Sequence, residues 1–342
     1  MRASRTWRRV GAGLLAVLVV TLAAAPAATA ASYRVVDLGT LGGATSAATD
    51  VNNRGIVVGW AKTASGTVHA FVYRDGMMID IGTLGGPNSV AAAISNNRAV
   101  VGTASVAAGS SQHAFLWRAN QGAMHNIGNP RPVRIGDTGA IIANGTTSRG
   151  ESQAIYRSNG QWIRLPRFGY DGSVGTDVND SGTAVGTLVD DPHGSAPFEY
   201  ENGVMHVLPS VPLASETAAE AISDNGHIAG QTFDPLGIVL WTGAAWMPIP
   251  TPALFEPEID GMNDCDQIVG AHHPTVFFEP SAFLISGGVG VDLNTLIPAG
   301  SGWHLGVANA INDSGEIAGV GRFHGVQRAF LLVPTSSGAG CM

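Results

Sequence analysis

VNNRGIVVG, at residues 51–59, is the first of seven copies of one short phrase, and the spacing of the copies decides the fold. Each copy begins with an apolar residue, continues with small polar residues, and ends with small aliphatic residues and usually a Gly. The copies begin at Val51, Ile94, Ile135, Val178, Ile222, Met262 and Ile311, at intervals of 40 to 49 residues. Short β-prone segments at a period of about 40–45 residues are typical of propeller blades. The sequence therefore predicts an all-β, seven-bladed β-propeller.

The first unit shows how one repeat predicts one blade. Small residues at 46–51 lead into NNRG at 52–55, a turn in which Asn and Gly tolerate positive φ. Apolar runs at 56–60, 69–73 and 77–81 predict three further strands. We expect four antiparallel strands per blade, named a to d from the central channel outward. Such a small sheet buries both faces only when it packs between two neighbours.

The missing strand of the last unit is predicted at the other terminus. No fourth-strand pattern follows the third strand of the seventh unit, at 328–332. By contrast, VVDLGTL at 35–41 precedes the first unit and matches MIDIGTL at 78–84, the fourth strand of that unit. We therefore predict that the N-terminal strand completes the seventh blade and closes the ring, which removes the exposed sheet edge.

Residues 1–30 have the composition of a secretory signal peptide. Four arginines accompany a small-apolar stretch at 10–25, and ATA at 28–30 supplies a cleavage site of small residues. We expect a secreted protein whose single propeller domain spans 31–342. Export by the general route is favoured, and the arginine pair at 8–9 leaves twin-arginine export as the alternative.

The charge balance excludes two classes of partner. The chain has a net charge of −8, and its first thirty residues hold four of the 18 basic residues and none of the acidic ones. The remaining chain is therefore more acidic still. An acidic surface releases no counterions from nucleic acid and is not attracted to an anionic bilayer. We expect no nucleic acid as partner and no stable membrane insertion.

The chain contains two cysteines, Cys265 and Cys341. In an oxidising compartment an even number of cysteines favours a disulfide. Cys265 falls in the a–b turn of the sixth unit, and the nine residues after Leu332 can carry Cys341 to the same rim. We predict a bridge that ties down the C-terminal tail, and two unpaired thiols are the alternative.

Two recurring phrases carry a family resemblance. HAFVY begins at His69 and HAFLW at His113, while DLGTLGG and DIGTLGG begin at Asp37 and Asp80. With these phrases the chain resembles the extracellular HAF-repeat family. The resemblance implies a secreted repeat protein without an assigned activity, and it supplies no catalytic residues. Because His69 and His113 recur at an equivalent strand position, we expect a structural role for both.

Residues that depart from the repeat are the functional candidates. The position directly before the phrase is small in four units, but it is Asp50, Arg134 and Asp177 in the other three. Charges on the innermost strand must be hydrated or paired. These residues could bind a polar ligand or transfer protons at the channel. The alternative is a structural Asp–Arg pair inside a water-filled channel.

The rim opposite the a–b turns carries further candidates, because the b–c loops and the d–a connectors lie there. His272 and His273 could supply a metal ligand or a general base. Trp303 and His304 could stack a sugar or an aromatic ligand, or could simply pack. The candidates for acid/base chemistry are Asp177, His193, His272, Arg134, Glu220 and His304, and those for ligand binding are Asp50, Tyr170, Asp260, His273 and Trp303.

No motif names a reaction. The sequence contains no nucleophile elbow, zinc-protease motif, P-loop, calcium loop or dinucleotide fingerprint, so we expect no cofactor and no metal. The preferred hypothesis is a secreted, monomeric propeller that binds a small molecule, a glycan or a cell-surface partner at the loop rim of its channel. The alternative is an extracellular lyase, cyclase, isomerase or hydrolase that uses acid/base residues at the same channel mouth.

Overall fold

Over the residues that it describes, the structure consists of seven four-stranded sheets and one short 3₁₀ turn. It is a computed structural model that describes residues 33–341 except 108–110, 191–193, 213, 244, 252–253, 255, 274–278 and 336–339. Within these residues, no helix has the length and apolar character needed to cross a lipid bilayer. The elements are β1 Tyr33–Asp37, β2 Gly42–Val51, β3 Val57–Thr63, β4 Val68–Arg74, β5 Met77–Asp80, β6 Gly85–Ile94, β7 Ala99–Val106, β8 Gln112–Arg118, β9 Met124–Gly128, β10 Arg131–Ile135, β11 Ile141–Thr146, β12 Ser152–Ser158, β13 Gln161–Arg164, β14 Gly172–Val178, β15 Ala184–Asp190, β16 Gly194–Glu201, β17 Val204–Val207, β18 Glu216–Ile222, β19 His227–Phe233, β20 Gly237–Thr242, β21 Ala245–Ile249, β22 Glu258–Met262, β23 Ile268–His272, β24 Ser281–Ser286, β25 Val289–Asp292, the turn η1 Leu293–Thr295, β26 Trp303–Ile311, β27 Ile317–Phe323 and β28 Val326–Pro334.

Each sheet is one blade of a seven-bladed β-propeller. Blades one to six each take four consecutive strands, from β2–β5 in blade one to β22–β25 in blade six. Neighbouring strands in every blade run antiparallel, as in the pairing of β2 with β3 and of β3 with β4. The predicted fold class, with four antiparallel strands per blade, is confirmed.

Blade seven joins the two ends of the propeller domain. Its strand order is β1-β28-β27-β26, so the first strand stands at the outer edge of the last sheet. β1 pairs with β28 from Tyr33 opposite Pro334 to Asp37 opposite Phe330. The amide of Tyr33 also donates to the carbonyl of Leu296, at 2.9 Å. The prediction that the N-terminal strand closes the last blade is confirmed.

The hydrophobic core is divided into layers between adjacent blades. Between blades one and two, Val58 packs in one cluster with Val100 and Phe115. Between blades seven and one, Val57 packs in one cluster with Leu331. The first and last blades therefore cover each other, and the ring leaves neither with an open apolar face.

The final Gly of the phrase marks a close approach of two strands. In blade four, a Cβ atom on Gly186 would lie 2.1 Å from the carbonyl oxygen of Val174 and 2.7 Å from the ring of Phe198. Phe198 lies opposite Gly186 on strand c and is fully buried. The equivalent glycines of five other blades would also meet a carbonyl oxygen within 2.1 Å; they are Gly59, Gly102, Gly230, Gly270 and Gly319. Blade three instead has Ala143, opposite Pro132.

The HAF phrase also has a structural role. The Nδ1 atom of His69 lies 2.7 Å from Oδ2 of Asp80 on the neighbouring strand d. The Asp80 carboxylate in turn accepts the amide of Gly82, at 2.7 Å. In blade two, His113 makes the corresponding contact to the Asn126 amide group, at 2.9 Å. These contacts join strands c and d and fix the start of the connector to the next blade.

A disulfide links the tail to the sixth blade. The sulfur atoms of Cys265 and Cys341 are 2.00 Å apart. Cys265 lies in the a–b turn of blade six, and the amide of Cys341 donates to the carbonyl of Asp313 in the a–b turn of blade seven, at 2.7 Å. The tail thus returns to the rim that the a–b turns form.

The close approach at Gly186 generates a stability prediction. Gly186→Ala is expected to destabilise the protein by about 2–4 kcal/mol, because strands a and b must separate to admit a methyl group. Ala143→Gly is the matched control, and it should lose only about 1 kcal/mol through added backbone freedom. The measurement is guanidinium unfolding followed by tryptophan fluorescence. Equal unfolding midpoints for Gly186→Ala and the unmodified protein would contradict this packing.

Candidate functional site

In four of the seven blades, an Asn at the second position of the phrase bonds the blade to the next one. The Oδ1 atom of Asn52 accepts the amides of Arg54 and Ile56, both at 3.0 Å, and so shapes its own turn. Its Nδ2 atom donates to the carbonyl of Ser95 in blade two, at 3.0 Å. The same bond to the following blade is made by Asn179, Asn263 and Asn312. One side chain thus stabilises both a hairpin turn and an interface between blades.

The third position of the phrase forms a ring at the a–b rim, called here the turn ring. In blades four to six, the backbone amide of each member donates to a carboxylate oxygen of the next, as from Asp180 to Asp224 and from Asp224 to Asp264, both at 2.7 Å. The ring closes where the amide of Asp313 donates to Oδ1 of Asn53, at 3.0 Å. Its seven members are Asn53, Asn96, Asp137, Asp180, Asp224, Asp264 and Asp313.

Three carboxyls of the turn ring have a raised pKa. Partial desolvation, together with the nearby carboxylates of Asp180 and Asp264, raises the pKa of Asp224 to about 7. Desolvation and neighbouring carboxylates also raise the pKa of Asp180 and of Asp264 above the usual range. The folded protein therefore holds protons in this ring at a pH where the unfolded chain has released them.

This ring makes stability depend on pH. An acid whose pKa is raised by folding contributes stability that is lost as pH rises from its ordinary value of 3.8 toward about 7. Asp224→Asn should remove part of that loss and raise the melting temperature at pH 8 more than at pH 5. Asp75→Asn, in the exposed turn between β4 and β5, changes the net charge equally and serves as the control. The same pH dependence in all three proteins would contradict the assignment.

Arg134 crosses the channel beneath the turn ring. Its Nη2 atom donates to the carbonyl oxygens of Asp260 at 2.9 Å and of Asn309 at 3.2 Å, in blades six and seven. Its Nε atom lies 3.7 Å from Oδ1 of Asp177 in blade four. Burial disfavours its charge, but the carboxylates of Asp50, Asp177 and Asp260 outweigh burial and raise the pKa of Arg134. The guanidinium is therefore a fixed positive charge across the channel.

Asp50 and Asp177 are buried and hold adjacent blades together. Asp50 accepts the amide of Ile94 in blade two at 2.8 Å, and Asp177 accepts that of Ile222 in blade five at 2.9 Å. Burial raises the pKa of both carboxyls, that of Asp177 to about 6, although Arg134 opposes the shift. These contacts match the structural alternative, in which an Arg and two Asp residues stabilise the inner ring.

The innermost strand of every blade contains a β-bulge immediately before this position. In blade one, for example, the pairing skips Thr49 between Ala48 and Asp50. A bulge adds one unpaired residue to the strand and changes the direction in which its side chain points. The seven skipped residues are Thr49, Ala92, Val133, Thr176, Glu220, Asp260 and Asn309. All seven line a cavity of about 690 Å³ on the side of the channel away from the turn ring.

The five polar bulge residues fall into two groups. Thr49, Thr176 and Asn309 each donate to a carbonyl of the following blade, at 2.7–3.0 Å. Among the described residues, the side chains of Glu220 and Asp260 have no hydrogen-bond partner. The bulges of blades five and six therefore place two neighbouring carboxyls, without donors, in the wall of the cavity.

The environment of these carboxyls favours protonation. Burial, followed by the charges of Asp260 and Glu258, raises the pKa of Glu220 to about 7. Burial and Glu258 raise the pKa of Asp260 to about 6, against the attraction of Arg134. Both groups can thus gain or lose a proton near neutral pH, and an arriving cation would favour their charged forms.

A second cavity continues from the first. It has a volume of about 520 Å³ and shares Glu220, Ile259 and Asp260 with the channel cavity. It also includes His273 and the exposed side chains of Phe233 and Leu236. The remaining members are Gln231, Glu256, Pro257 and Glu258. The channel cavity thus opens into a lateral pocket between blades five and six.

The predicted site residues are only partly brought together. Asp50, Arg134 and Asp177 line the cavity below the turn ring, and Arg134, Glu220 and Asp260 line the channel cavity. His273 lies in the lateral pocket. His193 lies outside the described residues. Arg131 was not among the candidates, although it lines the channel cavity. Glu256, on the connector before β22, and Glu258, at the start of β22, line the lateral pocket.

His272 lies apart from the channel mouth, which corrects its predicted placement. It is not in an irregular loop but ends strand β23, where it is buried. Its Nε2 atom is 3.6 Å from Oδ2 of Asp292 on strand d, and its ring packs against Phe283. Strand pairing continues one residue further than the sequence pattern indicated, so the imidazole faces the interior of the blade. His272 and His273 therefore do not converge.

Three other candidates also lie away from the channel cavity. Trp303 stacks on Phe323 with ring centroids 5.2 Å apart and meets Phe330 edge-on, so it packs as part of blade seven. His304 lines a separate cavity of about 270 Å³. Tyr170 packs against the core cluster shared by blades three and four. No group of three or more His, Cys, Asp or Glu residues in the described part of the chain is arranged to hold a metal ion.

Comparison with known proteins supports the fold. No family model and no curated protein matches the chain. The β-propeller domain of the Trilobed protease from Pyrococcus furiosus, described with an open velcro topology, is similar at a TM-score of 0.59 and 11% identity, over 87% of this chain and 98% of that one. Streptogramin B lyase is similar at a TM-score of 0.52 and 12% identity, over 89% of this chain and 98% of that one. A puromycin-hydrolyzing peptidase from Mycobacterium tuberculosis is similar at a TM-score of 0.58 and 10% identity, over 90% of this chain but only 52% of that one. At these identities the likeness defines the class, a β-propeller, and no activity.

Proposed function

We propose that this protein is a secreted member of the HAF-repeat family that binds a small molecule or glycan, free or on a cell surface, in the channel cavity and its lateral pocket. The observation that carries the proposal is the pair Glu220 and Asp260. At the position where blades one, four and seven bond a carbonyl of the next blade, these two blades present carboxyls that have no donor among the described residues. Secretion rests on the composition of residues 1–30, and family membership rests on the HAF and LGTLGG phrases.

The shape of the cavity suits a ligand of modest size. Binding pockets for small molecules occupy about 300–1,000 Å³ and combine apolar walls with a few converging polar groups. The channel cavity, at about 690 Å³, has walls of small strand residues and the charged groups of Arg131, Arg134, Glu220 and Asp260. Among these groups, the carboxyls of Glu220 and Asp260 have no hydrogen-bond donor in the described part of the chain. A charge in a partly buried wall is costly without such a partner, so a ligand that supplies one gains affinity.

An enzymatic function is the second candidate, and the pKa values favour it. Glu220 and Asp260, with pKa values raised to about 7 and about 6, can serve as acid and base near neutral pH. Arg134 lies between these carboxyls and the turn ring, and it lines both the cavity below that ring and the channel cavity. Proton transfer to and from a bound ligand would suit a lyase, cyclase, isomerase or hydrolase.

A ligand screen tests the proposal. The chain from residue 31 onward is screened by thermal shift against glycans, peptides and secreted metabolites at pH 6 and pH 8, and hits are measured by calorimetry. Glu220→Gln and Asp260→Asn should each weaken binding about tenfold, because a charge-assisted contact is lost. Asp75→Asn, far from the cavity, is the control and should bind normally. Hits whose affinity is the same in all four proteins would contradict the proposed site.

The same hits separate binding from catalysis. Each ligand is incubated with the protein and followed by mass spectrometry. A binding protein leaves the ligand unchanged, whereas an enzyme converts it. In the enzyme, Glu220→Gln should lower the rate of conversion more than it lowers the affinity for the ligand.

A further inference from the structure

The cavities extend across the loop rim as one groove. A third cavity, of about 420 Å³, lies at blade three and shares Arg131 and Asn144 with the channel cavity. The lateral pocket at blades five and six shares Glu220, Ile259 and Asp260 with the same channel cavity. The groove therefore runs from blade three, over the channel, to blades five and six.

The blade-three end of the groove is positive. Among the described residues that line its cavity, the charged ones are Arg131 and Arg164. Neither guanidinium has a hydrogen-bond or ion-pair partner in the described part of the chain. Arginine presents a planar fork of donors that matches a carboxylate. This end of the groove therefore suits an anionic group, and a carboxylate most directly.

The other end of the groove is negative. The lateral pocket is lined by Glu220, Glu256, Glu258 and Asp260, with His273 as the one basic side chain among the described lining residues. None of these four carboxyls has a hydrogen-bond donor or an ion-pair partner within the described residues of the pocket. An ammonium group has several donors and a full charge, so it suits a cluster of carboxylates.

Apolar surface accompanies the negative end. Phe233 is 40% exposed and Leu236 is 46% exposed, and both line the lateral pocket. Exposed apolar side chains beside unpaired polar groups provide a contact for an apolar side chain of a ligand. The pocket can therefore hold an ammonium group and an apolar group that are close together in one molecule.

We propose that the groove binds an elongated dipolar ligand, a short linear peptide with free termini, whose amino end lies in the lateral pocket and whose carboxylate lies between Arg131 and Arg164. The inference rests on the proposed function and names its ligand class. An apolar first residue contacts Phe233 and Leu236. The opposite charges at the two ends of the groove fix the direction of the bound peptide, because a reversed peptide would place like charges together.

The test uses peptides of the form Phe-(Ala)n, with n from one to five, measured by calorimetry against the chain from residue 31 onward. The free peptides should bind, and affinity should rise with length until both ends are reached. N-acetylation and C-terminal amidation should each weaken binding about tenfold, because each removes one charge-assisted contact. If acetylated and amidated peptides bind as tightly as the free ones, the inference is wrong.

Surface variants assign each end. Arg164→Gln should abolish the effect of amidation and leave that of acetylation, while Glu256→Gln should reduce only the effect of acetylation. Arg74→Gln, on the outer part of blade one, is the control. Peptide binding that none of the groove variants changes would overturn the inference.

The outcomes distinguish this inference from the proposed function. If neutral glycans or other compounds bind in a Glu220-dependent manner and no peptide does, the peptide inference fails alone. If neither peptides nor any other compound binds, both fail.

Discussion

The structure depends on closure of the ring by strand pairing between the two ends of the propeller domain. Every blade has two apolar faces, and a row of blades would leave the first and the last uncovered. β1 pairs with β28, so the first strand of the domain is part of its last blade. Further bonds between adjacent blades come from Asn52 and its equivalents in blades four, six and seven, and from the turn ring. The rigid inner ring that results fixes the position of each channel side chain.

The candidate site arises where this regular pattern is broken. A bulge on each inner strand adds one residue that faces the cavity, and in blades one, four and seven that residue bonds to the next blade. Glu220 and Asp260 occupy the same position with side chains that, when ionised, accept hydrogen bonds and cannot donate them. The interface between blades five and six therefore lacks this contact at Glu220, and the interface between blades six and seven lacks it at Asp260. Each position instead places a carboxyl in the cavity wall. Function on this propeller is thus a local departure from a structural repeat, with Arg134 as the fixed counter-charge.

Much of the fold could be predicted from the sequence, because the period of the phrase and the match between 35–41 and 78–84 both report directly on strands. The channel position of Asp50, Arg134 and Asp177 followed from the same alignment. Their role as blade connectors did not, since it depends on backbone amides and carbonyls supplied by other blades. The bulge was invisible to the pattern, so the importance of Glu220 and Asp260 over Asp177 was not apparent. His272 was assigned to a b–c loop, yet strand pairing extends through it. For Trp303 the sequence left both ligand stacking and packing open, and the structure shows it packed against aromatic residues of its own blade.

Hydrogen exchange of the peptide that covers 33–41, measured by mass spectrometry, tests the closure most directly. The ring described here predicts that the amides of β1 facing β28 exchange as slowly as those of β27 and β28, since all belong to one sheet that opens only when the ring opens. Exchange of the whole 33–41 segment at the rate of an unstructured chain, while β27 and β28 stay protected, would show that the last blade is not closed by the first strand.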